Sequence, residues 1–415
     1  MKIKLEQEYL SILIFLLGAT CALIINIFLL FINPEVLGEF NKTYAFFIIF
    51  SHFFLFSINE NLVRNVPILI KQDEKEYYSN IFLITCFALL FQILIFFFLK
   101  KFFYNYIYKY NFEKIIDTIQ IAIPLFIINK IFFSFLNAKK KFFLFFIFGS
   151  MRPFLILVTC IIFYLYEKNL INKNIGHSFI ITEILLILIN FLYLKKFIKN
   201  ISIRCDYKKI ISIGNFCILS WPHSFLSYSF LRIDILCISF FFNNYSIGIY
   251  SFASMFIEGL YQLCTVIRDR ANPEIAKKIY DNEFKINYFK KSIFTNILLI
   301  LISFIFIKFI FFYLLSKIFL DNSESIKQIE IIFSILWYGL FFYSSMIVFE
   351  NIFIMANKPK SQSYYIIFAN ILNISLNIIF IKLFGLIGAA YATSITFAIL
   401  TIILYFYARK TENHK

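Results

Sequence analysis

The feature that most constrains this chain is the recurrence, along its whole length, of apolar runs separated by short polar bursts. The runs fall near residues 10–32, 43–63, 78–99, 116–137, 143–165, 176–194, 211–241, 246–267, 292–315, 329–355, 362–383 and 386–407. A bilayer core is roughly 30 Å thick and a helix rises about 1.5 Å per residue, so a run of about 20 residues crosses it. With 61% hydrophobic and only 15% charged residues, the chain lacks the polar coat that a water-soluble domain needs. The expected fold class is an all-α polytopic membrane protein with about twelve transmembrane helices.

Two runs carry further expectations. The first, from Leu10 to Ile32, exceeds the apolar stretch of a cleaved signal peptide and lacks a small-x-small exit, so a retained first helix is expected. The seventh is too long for one straight span and contains Trp221-Pro222. Proline removes a helix hydrogen bond, which places a kink or an interfacial first turn there.

A net charge of +16 is of the size seen in nucleic-acid binders, but the basic residues sit in the turns rather than on one face of a polar helix, so no nucleic-acid partner is expected. Counted on alternate sides of the spans, one side holds 26 of the 40 Lys and Arg and the other 10, with four inside spans. The richer side includes Lys2, Lys4, Lys139, Lys140, Lys141, Arg268 and Arg409, which predicts cytoplasmic N- and C-termini in a bacterial inner membrane. Cys21, Cys86, Cys160, Cys205, Cys217, Cys237 and Cys264 show no paired spacing, and His52, His177, His223 and His414 form no ligand set. There is no nucleophile–base constellation and no phosphate-binding loop, so neither a catalytic site, a metal, a cofactor nor ATP hydrolysis is expected. The 60 Phe residues reflect composition and receive no binding role.

Seven of the charges inside the runs stand out: Lys130, Arg152, Arg232 and Lys308, with Glu183, Asp234 and Glu258. A charge at mid-bilayer costs about 2.5–3.5 kcal/mol, so such residues face a cavity or a partner. Arg152 lies about 16 Å beyond Lys141, near mid-membrane, and Lys130 about 13 Å from Lys139. These two could line a cavity that attracts a pyrophosphate or an acidic sugar, Arg through its bidentate fork and Lys as a point charge. The competing expectation is an ion pair with Glu183. Gly149-Ser150 before Arg152 and Pro153 after it are expected to open that helix towards the cavity.

Arg232 and Asp234 stand two apart on one helix and need different partners. Asp234, Glu258 and Glu183 are the candidates for a coupling ion, whereas Lys308 reads as structural or snorkelling. Arg64 and Arg270, at the cytoplasmic mouth, could meet a lipid pyrophosphate, although basic residues at helix exits are also ordinary topology anchors.

The chain also repeats itself. Leu37-Gly38-Glu39-Phe40 follows the first run and Ile247-Gly248-Ile249-Tyr250 follows the seventh. Each is followed by a span that exits through Arg-x-x-Pro, Arg64 to Pro67 and Arg270 to Pro273. Two six-helix lobes in the same orientation, 1–200 and 201–415, are expected.

These pieces resemble the polysaccharide-exporter branch of the multidrug/oligosaccharidyl-lipid/polysaccharide (MOP) superfamily, which also contains the MATE transporters, and especially the Wzx-type O-antigen flippases. The likeness rests on Arg232-Ile233-Asp234, on Ser246 to Ala253, on Asn272-Pro273-Glu274-Ile275-Ala276-Lys277, and on Phe384 to Ser394, whose small residues let helices approach closely. It implies two lobes around a central cavity that opens alternately to either face. It implies a substrate too: an undecaprenyl-pyrophosphate-linked oligosaccharide, of O-antigen, capsule or similar surface polysaccharide, moved to the periplasmic leaflet. A polysaccharide polymerase and a chain-length regulator are the implied partners.

Against the lipid II flippases, which carry two further helices, the chain reads as too short. Two other functions compete. A MATE-like drug or metabolite cation antiporter would present an anionic pocket, and four basic against three acidic intramembrane residues lean away from it. A membrane-embedded glycan polymerase or glycosyltransferase would need a large outer loop, and the one around Lys100 to Lys114 is too short for a catalytic domain.

Overall fold

The structure is a computed structural model, and it describes the backbone of residues 2–67, 74–103, 105, 108, 112–139, 141–166, 175–198, 206–318 and 323–413. Cys205, His414 and the loop residues Lys71, Lys109, Lys140, Lys168, Lys173, Lys199, Arg204 and Lys415 lie outside the described residues. The described elements are helical throughout.

In order, they are α1 (Lys2–Ile32), α2 (Pro34–Leu55), α3 (Ile58–Asn65), α4 (Glu74–Phe102), α5 (Glu113–Ala138), α6 (Phe142–Tyr166), α7 (His177–Ile198), α8 (Tyr207–Phe230) and α9 (Ile233–Ser239). There follow α10 (Asn244–Tyr280), α11 (Lys290–Ile305), a π-helical stretch (Phe306–Phe311), α12 (Phe312–Ile318), α13 (Ser323–Ser344), α14 (Ile352–Met355), α15 (Pro359–Phe384) and α16 (Leu386–Asn413). Among the described residues seven helices are long and apolar enough to cross a membrane, or eight if the bent pair α2–α3 is one span. Helix α1, helix α7, the α8–α9 pair and α10 occupy the places of the other four expected runs. The chain is thus an all-helical, polytopic membrane protein. Large apolar side chains such as Phe87, Leu90, Phe97, Phe309 and Phe406 stand exposed, which suits a surface solvated by lipid.

The chain falls into two compact units, one of residues 1–32 and 43–228, the other of 33–42 and 229–415. In the first unit α1 crosses α6 at Gly18, where a Cβ would lie 2.9 Å from the Ser150 Cβ. The small residue before Arg152 therefore serves close packing against α1. The expected opening at Pro153 is absent, since α6 runs unbroken through it.

In the second unit the repeat has a direct structural consequence. The two repeat glycines meet: a Cβ on Gly38 would overlap the Asn244 carbonyl oxygen, and one on Gly248 would overlap the Pro34 carbonyl oxygen. Backbone lies on backbone, so neither position can carry a side chain. Gly339 meets Ser394 in the same way, and Ser394 Oγ donates to the Ile335 carbonyl at 2.7 Å, which locks α13 to α16 through the small-residue segment.

Breaks, rather than the spans themselves, depart from expectation. The long seventh run does not break at its proline: α8 passes through Pro222 and ends at Phe230, and the break falls at Leu231-Arg232. There the Asp234 carboxylate, in the first turn of α9, accepts the Ile235 N–H at 2.9 Å and sits at the helix end that favours negative charge. The first-half counterpart of α10 is bent. Helices α2 and α3 meet at 56°, whereas α10 continues for 37 residues through Pro273. The repeat thus matches where the two hairpins begin and diverges where they exit.

Candidate functional site

The interior of the first unit gathers its charges around Phe126 on α5. The Arg152 guanidinium lies 4.5 Å from the Phe126 ring centre and 5.7 Å from that of Phe133. It also forms a two-pronged pair with Glu183, at 2.6 Å from Nε and 3.3 Å from the second nitrogen. Asn129 Nδ2 donates to the same carboxylate at 2.8 Å and to the Glu183 carbonyl at 3.0 Å. A forked arginine on a carboxylate that has a third donor is a satisfied buried pair. Of the two expectations for Arg152, the geometry shows the pair with Glu183.

Lys130, one residue beyond Asn129, stands differently. Among the described residues it has no carboxylate at ion-pair distance, and its ammonium faces the Tyr228 ring at 5.7 Å. The other neighbour of Tyr228 is His52, stacked at 3.5 Å between ring centres and 10° between planes, and His52 also meets Phe126 edge-on at 5.7 Å. Lys130 and Arg152 both act electrostatically on His52. Glu60 on α3 is close enough to Lys130 and to Ser224 to feel both. Glu60 was legible as a charge inside the second run, and His52 as a polar residue there. Glu60 lies beyond the bend between α2 and α3, which has no sequence signal of its own, and that bend sets where it falls relative to Lys130.

In the second unit Arg232 and Asp234 take different partners, as their spacing requires. Arg232 donates to Glu258 at 2.5 Å. Asp234 is buried and accepts the Tyr250 hydroxyl. Helix α9 packs against α15, whose buried face carries Asn370, Asn373 and Asn377, and the Asn377 Oδ1 receives no hydrogen bond. Lys308 sits in the π-helical stretch with its ammonium 5.3 Å from the Phe304 ring.

A third pair escaped the sequence reading. Arg268 on α10 donates to Glu350, which also accepts from Tyr261 at 2.7 Å and Tyr343 at 3.0 Å. Glu350 lies in the irregular stretch between α13 and α14, and Gln362 Nε2 donates to its carbonyl at 3.1 Å. This network fastens a non-helical segment to α10 and α15. Arg64 and Arg270 are both exposed, and Arg64 lies over the Phe216 ring at 4.7 Å. Among the described residues no group of three His, Cys, Asp or Glu side chains could hold a metal ion.

The family described as "Lipid II flippase MurJ" matches residues 43–414. The chain belongs to this family. It is therefore a transporter of the flippase class and not an enzyme. Among solved structures it is similar to the inward closed conformation of the lipid II flippase MurJ, at 18% identity and a TM-score of 0.75, covering 98% of this chain and 87% of that one. An inward-facing multidrug resistance MATE family transporter of the MOP superfamily is similar at 12% identity and a TM-score of 0.73, covering 96% and 93%. A MOP superfamily transporter from Pyrococcus furiosus Vc1 (DSM3638), titled for the reverse polarity of its binding pocket, follows at 10% identity and a TM-score of 0.61, covering 97% and 92%. At these identities the solved structures establish the MOP fold alone. No curated protein sequence matches the chain.

The family match corrects the sequence argument from length. A shorter chain was expected to fall outside the lipid II flippases, yet their family matches from residue 43 to residue 414, and the Wzx-type branch is not the one that emerges.

Proposed function

We propose that the protein moves an undecaprenyl-pyrophosphate-linked saccharide from the cytoplasmic to the periplasmic leaflet by alternating access. Lipid II, or the surface-glycan repeat unit that the exporter-like motifs favour, would be its cargo. The observation that carries this beyond family membership is Lys130: a cation inside the membrane-spanning part of the first unit that has no described carboxylate at ion-pair distance. An ammonium in such a place costs energy unless an anion visits it, and a diphosphate is such an anion. Arg152, committed to Glu183, supports the scaffold around it. Arg64, exposed in the last turn of α3, and Arg270, exposed within α10 rather than at its exit, are suited to first contact with the head group at the cytoplasmic face.

For energy coupling, Asp234 is favoured over Glu258 and Glu183. Those two carboxylates each already hold an arginine, whereas Asp234 accepts only neutral donors, Tyr250 and the Ile235 N–H. A carboxylate without a fixed cation can take up a proton or a sodium ion.

Depletion of the protein should leave lipid-linked saccharide facing the cytoplasm and reduce the glycan that depends on it. Normal arrival of labelled precursor at the periplasm, with no second flippase present, would overturn the proposal. Altered drug resistance with unchanged glycan would favour the antiporter. Both termini are proposed to be cytoplasmic. Reporter fusions after Lys141, Lys209 and Lys291 should read cytoplasm and one near Asn243 periplasm, and a reversed reading at any of these sites would refute that topology.

A further inference from the structure

The bend between α2 and α3 has no cause within its own segment. Sharp kinks arise at proline, at glycine, at a π-bulge, or where a side chain inserts into the hydrogen-bond ladder. The segment reads Phe53-Phe54-Leu55-Phe56-Ser57-Ile58-Asn59-Glu60, with neither proline nor glycine. Yet Phe56 and Ser57 both adopt positive φ, 49° and 55°, a conformation that L side chains resist. Ser57 gains nothing from it through its side chain, since the buried Oγ has no hydrogen-bond partner.

What holds the bend is an inserted side chain from elsewhere in the unit. Trp221 on α8 donates its indole N–H to the Phe53 carbonyl at 2.8 Å, the acceptor that the fifty-seventh amide would take in a continuous helix. Its ring lies 4.9 Å from Phe53 and 5.4 Å from Phe56. The repeat supplies the alternative: α10, the counterpart of α2–α3 in the second half, is unbroken over 37 residues.

We infer that the α2–α3 joint is a two-state element latched by Trp221. With the indole on the Phe53 carbonyl it is bent, and without it residues 53–60 close into one helix. The bent form holds Glu60 near Lys130 and Ser224. Straightening swings α3 through the 56° of the bend and carries Glu60 away, so the latch decides when Lys130 is open to an anion. Trp221 is a positioning residue in this scheme. Only the last step rests on the proposed transport; the joint itself does not.

The test is a distance. Spin labels at Ile48 and Val63, in a chain whose cysteines are replaced, should sit about 3 Å farther apart when the joint straightens. Trp221→Phe keeps an aromatic ring but loses the donor, and should add the longer distance. Ser57→Gly, which relieves the left-handed backbone, should shift the balance back towards the bent form by about tenfold when added to Trp221→Phe.

Flipping of a fluorescent polyprenyl-diphosphate disaccharide in vesicles should fall at least fivefold in Trp221→Phe and recover in the double variant. A single, short distance in well-folded Trp221→Phe overturns the inference, and so does a double variant that behaves like Trp221→Phe. If Trp221→Phe does not accumulate, Ser57→Gly alone should slow flipping severalfold by over-stabilising the bent form, and unchanged flipping overturns the inference. A shifted distance in protein that does not flip this probe in any variant upholds the joint and tells against the proposed substrate.

Discussion

Arg152–Glu183 and Arg232–Glu258 are the same chemical pair in two different backbones. The first joins two continuous helices, α6 and α7, with Asn129 filling the carboxylate and Phe126 and Phe133 flanking the guanidinium. The second starts from a helix break: Arg232 sits between α8 and α9, two residues from a second acid, Asp234. A buried pair forked between rigid elements, with a third donor on its carboxylate, behaves as scaffold. A pair at a break, beside a carboxylate that no arginine holds, can rearrange. The difference assigns structure to the pair that looked most functional in sequence and leaves Lys130 as the cation proposed to meet the substrate.

The comparison breaks most visibly at the first pair. Arg152→Ala should cost about 3–5 kcal/mol of stability by stranding Glu183, seen as a loss of folded protein in the membrane. Neutralising Glu183 as well should restore the protein level, because the cost belongs to the unpaired charge rather than to the missing arginine. Normal abundance of Arg152→Ala would end the scaffold account.

Lys130 sharpens the contrast from the other side. Lys130→Ala should leave abundance unchanged and lower transport by at least tenfold, while Lys130→Arg keeps the charge and retains most of it. A fall in abundance equal to that of Arg152→Ala would make the two cations equivalent and remove the distinction.

Next comes the break in the second unit. Asp234→Asn should preserve folding and abolish the dependence of transport on an imposed proton or sodium gradient, whereas Glu258→Gln should act mainly on stability by freeing Arg232. The smallest effect is expected for Tyr250→Phe, which removes one donor to Asp234 and should weaken ion dependence only severalfold. If Glu258→Gln rather than Asp234→Asn removes the dependence, the coupling group has been placed on the wrong carboxylate.

The sequence by itself determined the class of solvent, the runs that span it and the residues that do not belong there. Those are properties of local composition: an apolar run of sufficient length must become a helix in a bilayer, because no water remains to satisfy its backbone. It also determined the repeat, since Gly38 and Gly248 carry their signal in their own lack of a side chain. Only the tertiary structure decided which charge answers which. Arg152 and Glu183 are thirty-one positions apart, and Arg268 and Glu350 eighty-two, and nothing local to either residue records that separation closing. The bend at Phe56-Ser57 was equally hidden: its cause is the indole of Trp221, a residue 168 positions away from the carbonyl it takes, and a helix break imposed from outside leaves no glycine or proline behind to be read.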